Sequence, residues 1–192
     1  MTKNEFLKRF QLNILAKSEK QHDLLNSVNT LIESAVLVAF TEKDNQLCIL
    51  FTKRAQHLKH HGGQISFPGG KVEQLDQDLI ATALREAQEE IGLESNNIDV
   101  IGQLHPYQTI TGFRITPIVA LLQPNSPMCI DKNEVDEIFY VPIQHFLNNE
   151  QHYAIDVQHN TGNHKVHFMP YKHHNIWGAT AAILKDLGQH IV

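Results

Sequence analysis

A chain of 192 residues, 42% of them hydrophobic and 19% charged, is long enough to bury one full-sized core in a single domain. Its net charge of −5 argues against bulk nucleic-acid binding. Two isolated cysteines, Cys48 and Cys129, form no C-x-x-C pair, which argues against a disulfide scaffold or a cysteine-ligated zinc and suits a reducing cytoplasm. The first residues, M-T-K-N-E-F-L-K-R-F, contain no apolar signal core, and no apolar run is long enough to span a bilayer. The expectation is a cytoplasmic protein with no membrane partner.

The chain opens with an amphipathic pattern over residues 3–17, with Phe6, Leu7, Phe10, Ile14 and Leu15 on one side of a helix. Such a stripe either packs on its own domain or forms a homodimer element, and the sequence does not choose. A second short helix is predicted over Asp23 to Glu33. Residues 1–34 therefore read as an N-terminal helical extension and residues 35–192 as the main domain. Ala35 to Phe40 is a continuous apolar run of strand length. The polar turn E-K-D-N-Q follows, and Leu47 to Phe51 returns as a second strand, which makes a buried hairpin.

From Thr52 to Val72 no acidic residue occurs. Lys53, Arg54, Lys59 and Lys71 alternate with His57, His60 and His61. In an acidic chain this is a place to hold a polyanionic substrate, with Arg54, Lys59 and Lys71 as the phosphate-binding residues. The plainer alternative is a basic surface loop. His57 and His60 lack an evident third ligand for zinc.

Phe67 to Leu93 is the segment on which the rest is organised: a glycine turn at Gly69–Gly70, a short acidic loop, and a helix ending at Gly92. Spacings of three and four place Glu86 on one helical face with Glu89 and Glu90. Carboxylates that close repel one another unless a cation neutralises them. A hard, oxygen-seeking ion such as Mg²⁺ fits best, with Mn²⁺ as a substitute. Ile80, Ala83, Leu84, Ala87 and Ile91 are predicted to dock the opposite face on the core. A solvated acidic face is the plain alternative for a bare E-x-x-E-E.

Downstream, Ile98 to Leu104 reads as a strand, His105 to Arg114 as a loop turning at Gly112, and Ile115 to Leu122 as a strand. Arg114 is a further phosphate-binding residue, with a strand-end salt bridge as the equal alternative; Tyr107 reads as a packed or surface tyrosine, with stacking on a base as the alternative. N-E-V-D-E-I-F-Y-V-P leads into a strand ending at Pro142, with Glu134 near its start as an additional carboxylate. A short helix is predicted over Val141 to Asn149, and a hairpin over Tyr153 to Val157 and Val166 to Met169. Ile176 and Trp177 are expected to close the core, and a helix over Ala179 to Leu187 to stop at Gly188.

Taken together, G-G…R-E-A-Q-E-E-I-G-L resembles the Nudix box, the signature of hydrolases that cleave a diphosphate linked to another group. Counting back from Arg85 places the family's box glycine at Lys71 and its early glutamate at Gln77, so the loop here is one residue longer and Glu73 or Asp76 must supply the early acid. The preceding stretch, I-L-F-T-K-R-A-Q-H-L-K-H-H-G-G-Q-I-S-F-P-G-G, is similar to the signature of the coenzyme A diphosphatase branch, whose members carry the longer loop. Thr52, Arg54, Ala55, Gly63, Phe67, Pro68, Gly69 and Gly70 fall in register, while Phe51 replaces a leucine and Lys59 an arginine.

The resemblance spans roughly residues 35–187 and implies an α/β fold, a central mixed sheet sandwiched between helices. It implies metal ligation by Glu86, Glu89 and Glu90, joined by the Gly69 carbonyl. It also implies a catalytic set of Arg85, Glu86, Glu89 and Glu134, in which Arg85 holds the loop by pairing with an acid. The general base is open between a helix carboxylate and Glu134. The implied substrate is coenzyme A or a derivative, cleaved to 3′,5′-ADP and 4′-phosphopantetheine or its acyl form. Alternatives are a Nudix hydrolase of ADP-ribose, NADH or nucleoside triphosphates, or a non-catalytic ligand sensor on the same scaffold.

Overall fold

The apolar run at Ala35–Phe40 lies inside the strand to which the main sheet is attached. The computed structural model describes residues 1–12, 31–159 and 162–192. In it, α1 (Lys3–Leu12) precedes β1 (Ile32–Lys43), which turns at Asp44–Asn45 into β2 (Gln46–Arg54). Asp44 and Asn45 both have left-handed backbone angles, φ 50° and 59°, as a two-residue hairpin turn requires. Short strands β3 (Ile65–Ser66) and β4 (Gly69–Lys71) follow, then α2 (Leu79–Ile91), β5 (Ile98–Gln103), β6 (Tyr107–Gln108), β7 (Phe113–Leu122), β8 (Val135–Pro142) and α3 (Ile143–Leu147). The chain closes with β9 (Tyr153–His159), β10 (Gly162–Tyr171), β11 (His174–Trp177) and α4 (Ala179–Ile191).

The main sheet runs in the order β3-β2-β1-β7-β5, with β4 on β1, β6 on β7 and β8 on β2. β1 and β7 are parallel, from Ile32↔Phe113 to Phe40↔Leu121, and the other pairings are antiparallel. β9, β10 and β11 make a separate small antiparallel sheet. Alternation along β1 divides the core in two. Val38 and Phe40 join Ile49, Phe51, Val141, Leu184 and Ile191 on one face. Leu37 and Ala39 join Leu50, Ala83, Ala87, Ile91 and Ile118 on the other. The result is the expected α/β arrangement, a mixed sheet with helices on both faces. Among the described residues no helix is long and apolar enough to cross a membrane.

Several local expectations change. The amphipathic pattern predicted over residues 3–17 is helical to Leu12, and residues 13–17, with Ile14 and Leu15, lie outside the described part. So do residues 23–30 of the predicted second helix, whose last two residues belong to β1. The α1 stripe packs within its own chain. Phe6 is fully buried with its ring centroid 4.2 Å from that of Phe40, and Phe10 lies edge-on to His190 of α4 at 4.8 Å. The helix expected to stop at Gly188 continues to Ile191, because Leu187 and Ile191 both enter the core. That burial offsets the roughly 1 kcal/mol helix penalty of an internal glycine. Ile176 is buried as expected, but Trp177 is 39% exposed. On a strand only alternate residues face inward, and in β11 those are His174 and Ile176.

Truncating Phe6 tests whether α1 is integral to the core. Phe6→Ala is expected to lower unfolding free energy by about 3–5 kcal/mol in urea titration. A change of a few tenths would mean that α1 only rests on the surface.

Candidate functional site

The site is assembled around α2. Asp78 caps the helix by accepting from the Ala81 backbone N–H at 2.7 Å. At the other end Gly92, with φ 64°, donates to Gln88 O, and Leu93 N–H reaches Ala87 O. The loop before β8 is tied to this end, since Cys129 N–H donates to Ile91 O and Asp131 N–H to Glu90 O. Glu134, which ends that loop, is thereby brought beside the helix.

The three glutamates do not share one solvated face. Glu89 is 55% exposed in its side chain, Glu86 15%, and Glu90 only 2%. The buried face of α2 is rotated from the expected stripe. Thr82, Ala83, Ala87, Glu90 and Ile91 are buried, Leu84 is half-buried against the core, and Ile80 is exposed. Glu90 follows Ala83 and Ala87 at helical spacing, so docking the alanines on the sheet carries its carboxyl out of water.

Burial raises the Glu90 carboxyl to about 8, with the Arg54 guanidinium pulling it down and the charges of Glu86 and Glu134 pushing it further up. Arg54 Nη1 lies 3.5 Å from Glu90 Oε1, while Glu90 Oε2 is buried with no hydrogen-bond partner. Burial also raises Glu86, against the neighbouring Arg85. Its carboxylate lies over Gly70, where any side chain would collide with it. An orphaned buried oxygen among several carboxylates is what a hard divalent cation satisfies, so this donor set fits Mg²⁺ or Mn²⁺.

Arg85 resolves the identity of the loop acid. Its Nε donates to Asp76 Oδ1 at 3.0 Å and its Nη2 to Asp76 Oδ2 at 3.1 Å, a two-pronged pair. Nη2 also reaches the Lys71 carbonyl at 3.0 Å, and Nη1 donates to Glu86 Oε1 and Glu89 Oε2 at 3.0 and 3.1 Å. Asp76 further accepts from Glu73 N–H and Thr82 Oγ1. The hydrogen bonds from Arg85 hold its carboxyl well below the usual carboxylate range. Glu73 stands farther off, at 3.9 Å and largely exposed.

The expected phosphate-binding residues do not converge. Arg54 faces Glu90 inside the site. Lys71 and Arg114 lie on the two strands that flank β1, one on either side: Lys71 is paired with Ser34 and Arg114 with Glu33 in the backbone register. The Lys71 ammonium sits 5.6 Å from the Phe113 ring centroid, and Arg114 Nη1 lies 3.2 Å from Glu33 Oε1. Lys59 is exposed on the loop between β2 and β3. Tyr107 is packed against the core. Sequence reasoning missed the Arg54–Glu90 pair, because nothing in one sequence relates residues that far apart. The helical spacing of Glu90 from Ala83 and Ala87 did contain the signal for its burial.

Two outcomes follow for pH dependence. Asp76 stays charged in the folded chain where it would protonate in the unfolded one. Its contribution is complete above pH 3.8 and is lost as pH falls below that value. Asp76→Asn is therefore expected to flatten the acid limb of the stability curve and to cost about 2–4 kcal/mol at neutral pH. Glu90 acts with the opposite sign. Without added metal, its burial cost is absent below pH 4.5 and grows as pH rises toward about 8. Glu90→Gln should remove that decline, and Mg²⁺ should raise the thermal midpoint of the wild type more than that of the variant. Parallel pH profiles for variant and wild type would rule out this account.

Comparison with known proteins agrees with this geometry. Residues 31–159 match the family model described as the NUDIX domain. The chain is 39% identical over 191 residues to a protein of Salmonella newport strain SL254 named "Uncharacterized Nudix hydrolase NudL", covering all of this chain and 95% of that one. Among solved structures, a MutT/nudix family protein from Enterococcus faecalis superposes with a TM-score of 0.53 at 17% identity, over 97% of this chain and 68% of that one. A NUDIX hydrolase from Alicyclobacillus acidocaldarius does so with 0.51 at 17% identity, over 83% and 92%. At these identities the two structures speak for the fold alone. The match to the family model over most of the chain, and the full-length relative, establish that this chain belongs to the Nudix hydrolase family.

Proposed function

We propose that the protein hydrolyses the diphosphate bond of coenzyme A or its derivatives, releasing 3′,5′-ADP and 4′-phosphopantetheine or its acyl form. The observation that carries the chemistry is the buried Glu90 with its unsatisfied Oε2, set among Glu86, Glu134 and Arg54. The coenzyme A assignment rests on the similarity of residues 49–70 to the coenzyme A diphosphatase signature.

Glu86, Glu89 and Glu90 would hold divalent ions, Mg²⁺ or Mn²⁺, which Nudix hydrolases generally use. When bound, the ions supply charge neutralisation on the diphosphate and acidify the attacking water. Arg85 is a positioning residue: by gripping Asp76, the Lys71 carbonyl, Glu86 and Glu89 at once, it fixes the loop against the carboxylates. Gly70 leaves the room that the Glu86 carboxylate occupies. Glu134 and Glu89 are the carboxylates available to take the proton of the attacking water. Glu89 is the more exposed of the two, and both stand outside the Arg54–Glu90 ion pair. Lys71 and Arg114, on the strands that flank β1, and Lys59, on the exposed loop between β2 and β3, supply cations for the substrate's phosphates, while Arg54 orients Glu90.

A mass-resolved turnover assay with Mg²⁺ tests the assignment. Coenzyme A, ADP-ribose, NADH and the nucleoside triphosphates are offered in parallel. Release of 3′,5′-ADP from coenzyme A at the highest rate is the expected result. Preference for another compound would reject the substrate and keep the chemistry, and no turnover with metal still bound would favour a sensor. Glu90→Gln is expected to lose activity by at least about 10²-fold while remaining folded. Lys71→Ala should raise KM for coenzyme A with a smaller change in kcat, as loss of a ground-state phosphate contact predicts.

A further inference from the structure

A second group of potential ligands lies away from the α2 carboxylates. β8 belongs to the main sheet and carries Glu137; in the small sheet His173 lies in the turn between β10 and β11, and His174 opens β11. One ligand atom from each of these side chains lies within 4.8 Å of the other two. His174 Nε2 is 3.4 Å from Glu137 Oε1. The two imidazole centroids are 4.0 Å apart. Neighbouring residues on a regular strand point to opposite faces. Here Lys172 adopts a left-handed φ of 53°, and the tight turn brings both rings to one side.

We propose that Glu137, His173 and His174 form a binding site for a divalent transition-metal ion of the zinc type, which staples the small sheet to the main one. Two imidazoles and one carboxylate are ligands for such an ion and poor ligands for Mg²⁺, which prefers an all-oxygen shell. The site is partly built in advance. His174 is buried and its ring stacks on Phe139 at 3.8 Å, which fixes its orientation. His173 is exposed and Glu137 half-exposed, so the remaining coordination positions open to water. Lys53, paired with Glu137 across β2 and β8, is the nearby charge that opposes a cation. β11 also packs along β3, which leads directly into the Gly69–Gly70 turn. Tightening the junction therefore steadies the sheet edge from which the catalytic loop departs.

The test uses the full chain, stripped with chelator and held in excess Mg²⁺ so that the α2 carboxylates are not the site read. Zn²⁺ is titrated against a chromophoric competitor, and Co²⁺ is added separately to read ligand-field absorption. The expected result is one tightly held Zn²⁺ per chain, a Co²⁺ spectrum of low coordination number, and a raised thermal midpoint on adding Zn²⁺. His173→Ala and Glu137→Gln, both at accessible positions, should keep the metal-free midpoint yet weaken Zn²⁺ binding by more than about tenfold. The chain has 13 histidines, so a His57→Ala, His60→Ala double variant serves as the control and should bind like the wild type. Binding that survives in the Glu137 and His173 variants, binding lost in the control, or no bound Zn²⁺ at all would each overturn the proposal. None of these readouts uses turnover, so the result is independent of the diphosphatase reading.

Discussion

Mutual repulsion among carboxylates is the constraint around which this molecule is arranged. Glu86 and Glu90 are largely withdrawn from water, which raises the proton affinity of both, and the charge of Glu134 adds to that rise at each of them. Left alone, such a group would swing outward or protonate. Two guanidinium groups oppose it from different sides. Arg54 reaches Glu90 from β2, and Arg85 reaches Glu86 and Glu89 from within α2. Arg85 also closes on Asp76 with a planar, two-pronged contact that a lysine could not reproduce. The charge balance is nevertheless incomplete, because Glu90 Oε2 remains buried without a partner. A buried carboxyl that ionises only at a cost, with one oxygen unpartnered, is suited to binding a cation.

The sheet supplies the rigidity that this arrangement needs. β1 pairs with β2, β4 and β7, so the Gly69–Gly70 turn, the Arg54 strand and the Arg114 strand are all registered against one element. α2 lies across its second face through Ala83 and Ala87, small residues that allow a close approach. That closeness is also why Glu90 is buried: the helix sits too near the sheet for its next turn to remain in water. α1 and α4 cover the first face and pack against each other through Phe10, His190 and the Arg9 contact to the Ile191 carbonyl. Packing of the core and placement of the site are thus one problem with one solution.

Local chemistry was readable in the sequence wherever its cause was local. The hairpin over β1 and β2 follows from two apolar runs and an Asp-Asn turn. The end of α2 follows from Gly92, while its start at the Asp78 cap came from the structure. The resemblance of residues 67–93 to the Nudix box follows from the spacing of Gly70, Arg85 and the glutamates. Expectations failed where tertiary packing outweighed a local preference. Gly188 did not end its helix, since Ile191 had a core to enter. Trp177 faced outward, since the strand's period assigned the inward positions to His174 and Ile176.

The sequence by itself determined the long strands of the main sheet, the α2 helix and its acidic character, and the Nudix resemblance with its need for an early loop acid. Periodicity, capping and residue spacing act over a few residues, and a single chain displays them directly. Only the tertiary structure decided that Asp76 rather than Glu73 pairs with Arg85, that Arg54 is committed to Glu90, and that Glu137, His173 and His174 meet. These outcomes depend on strands and loops distant in sequence being placed side by side. Long-range placement is set by how whole faces of helices and sheets bury against one another, and no local pattern records it.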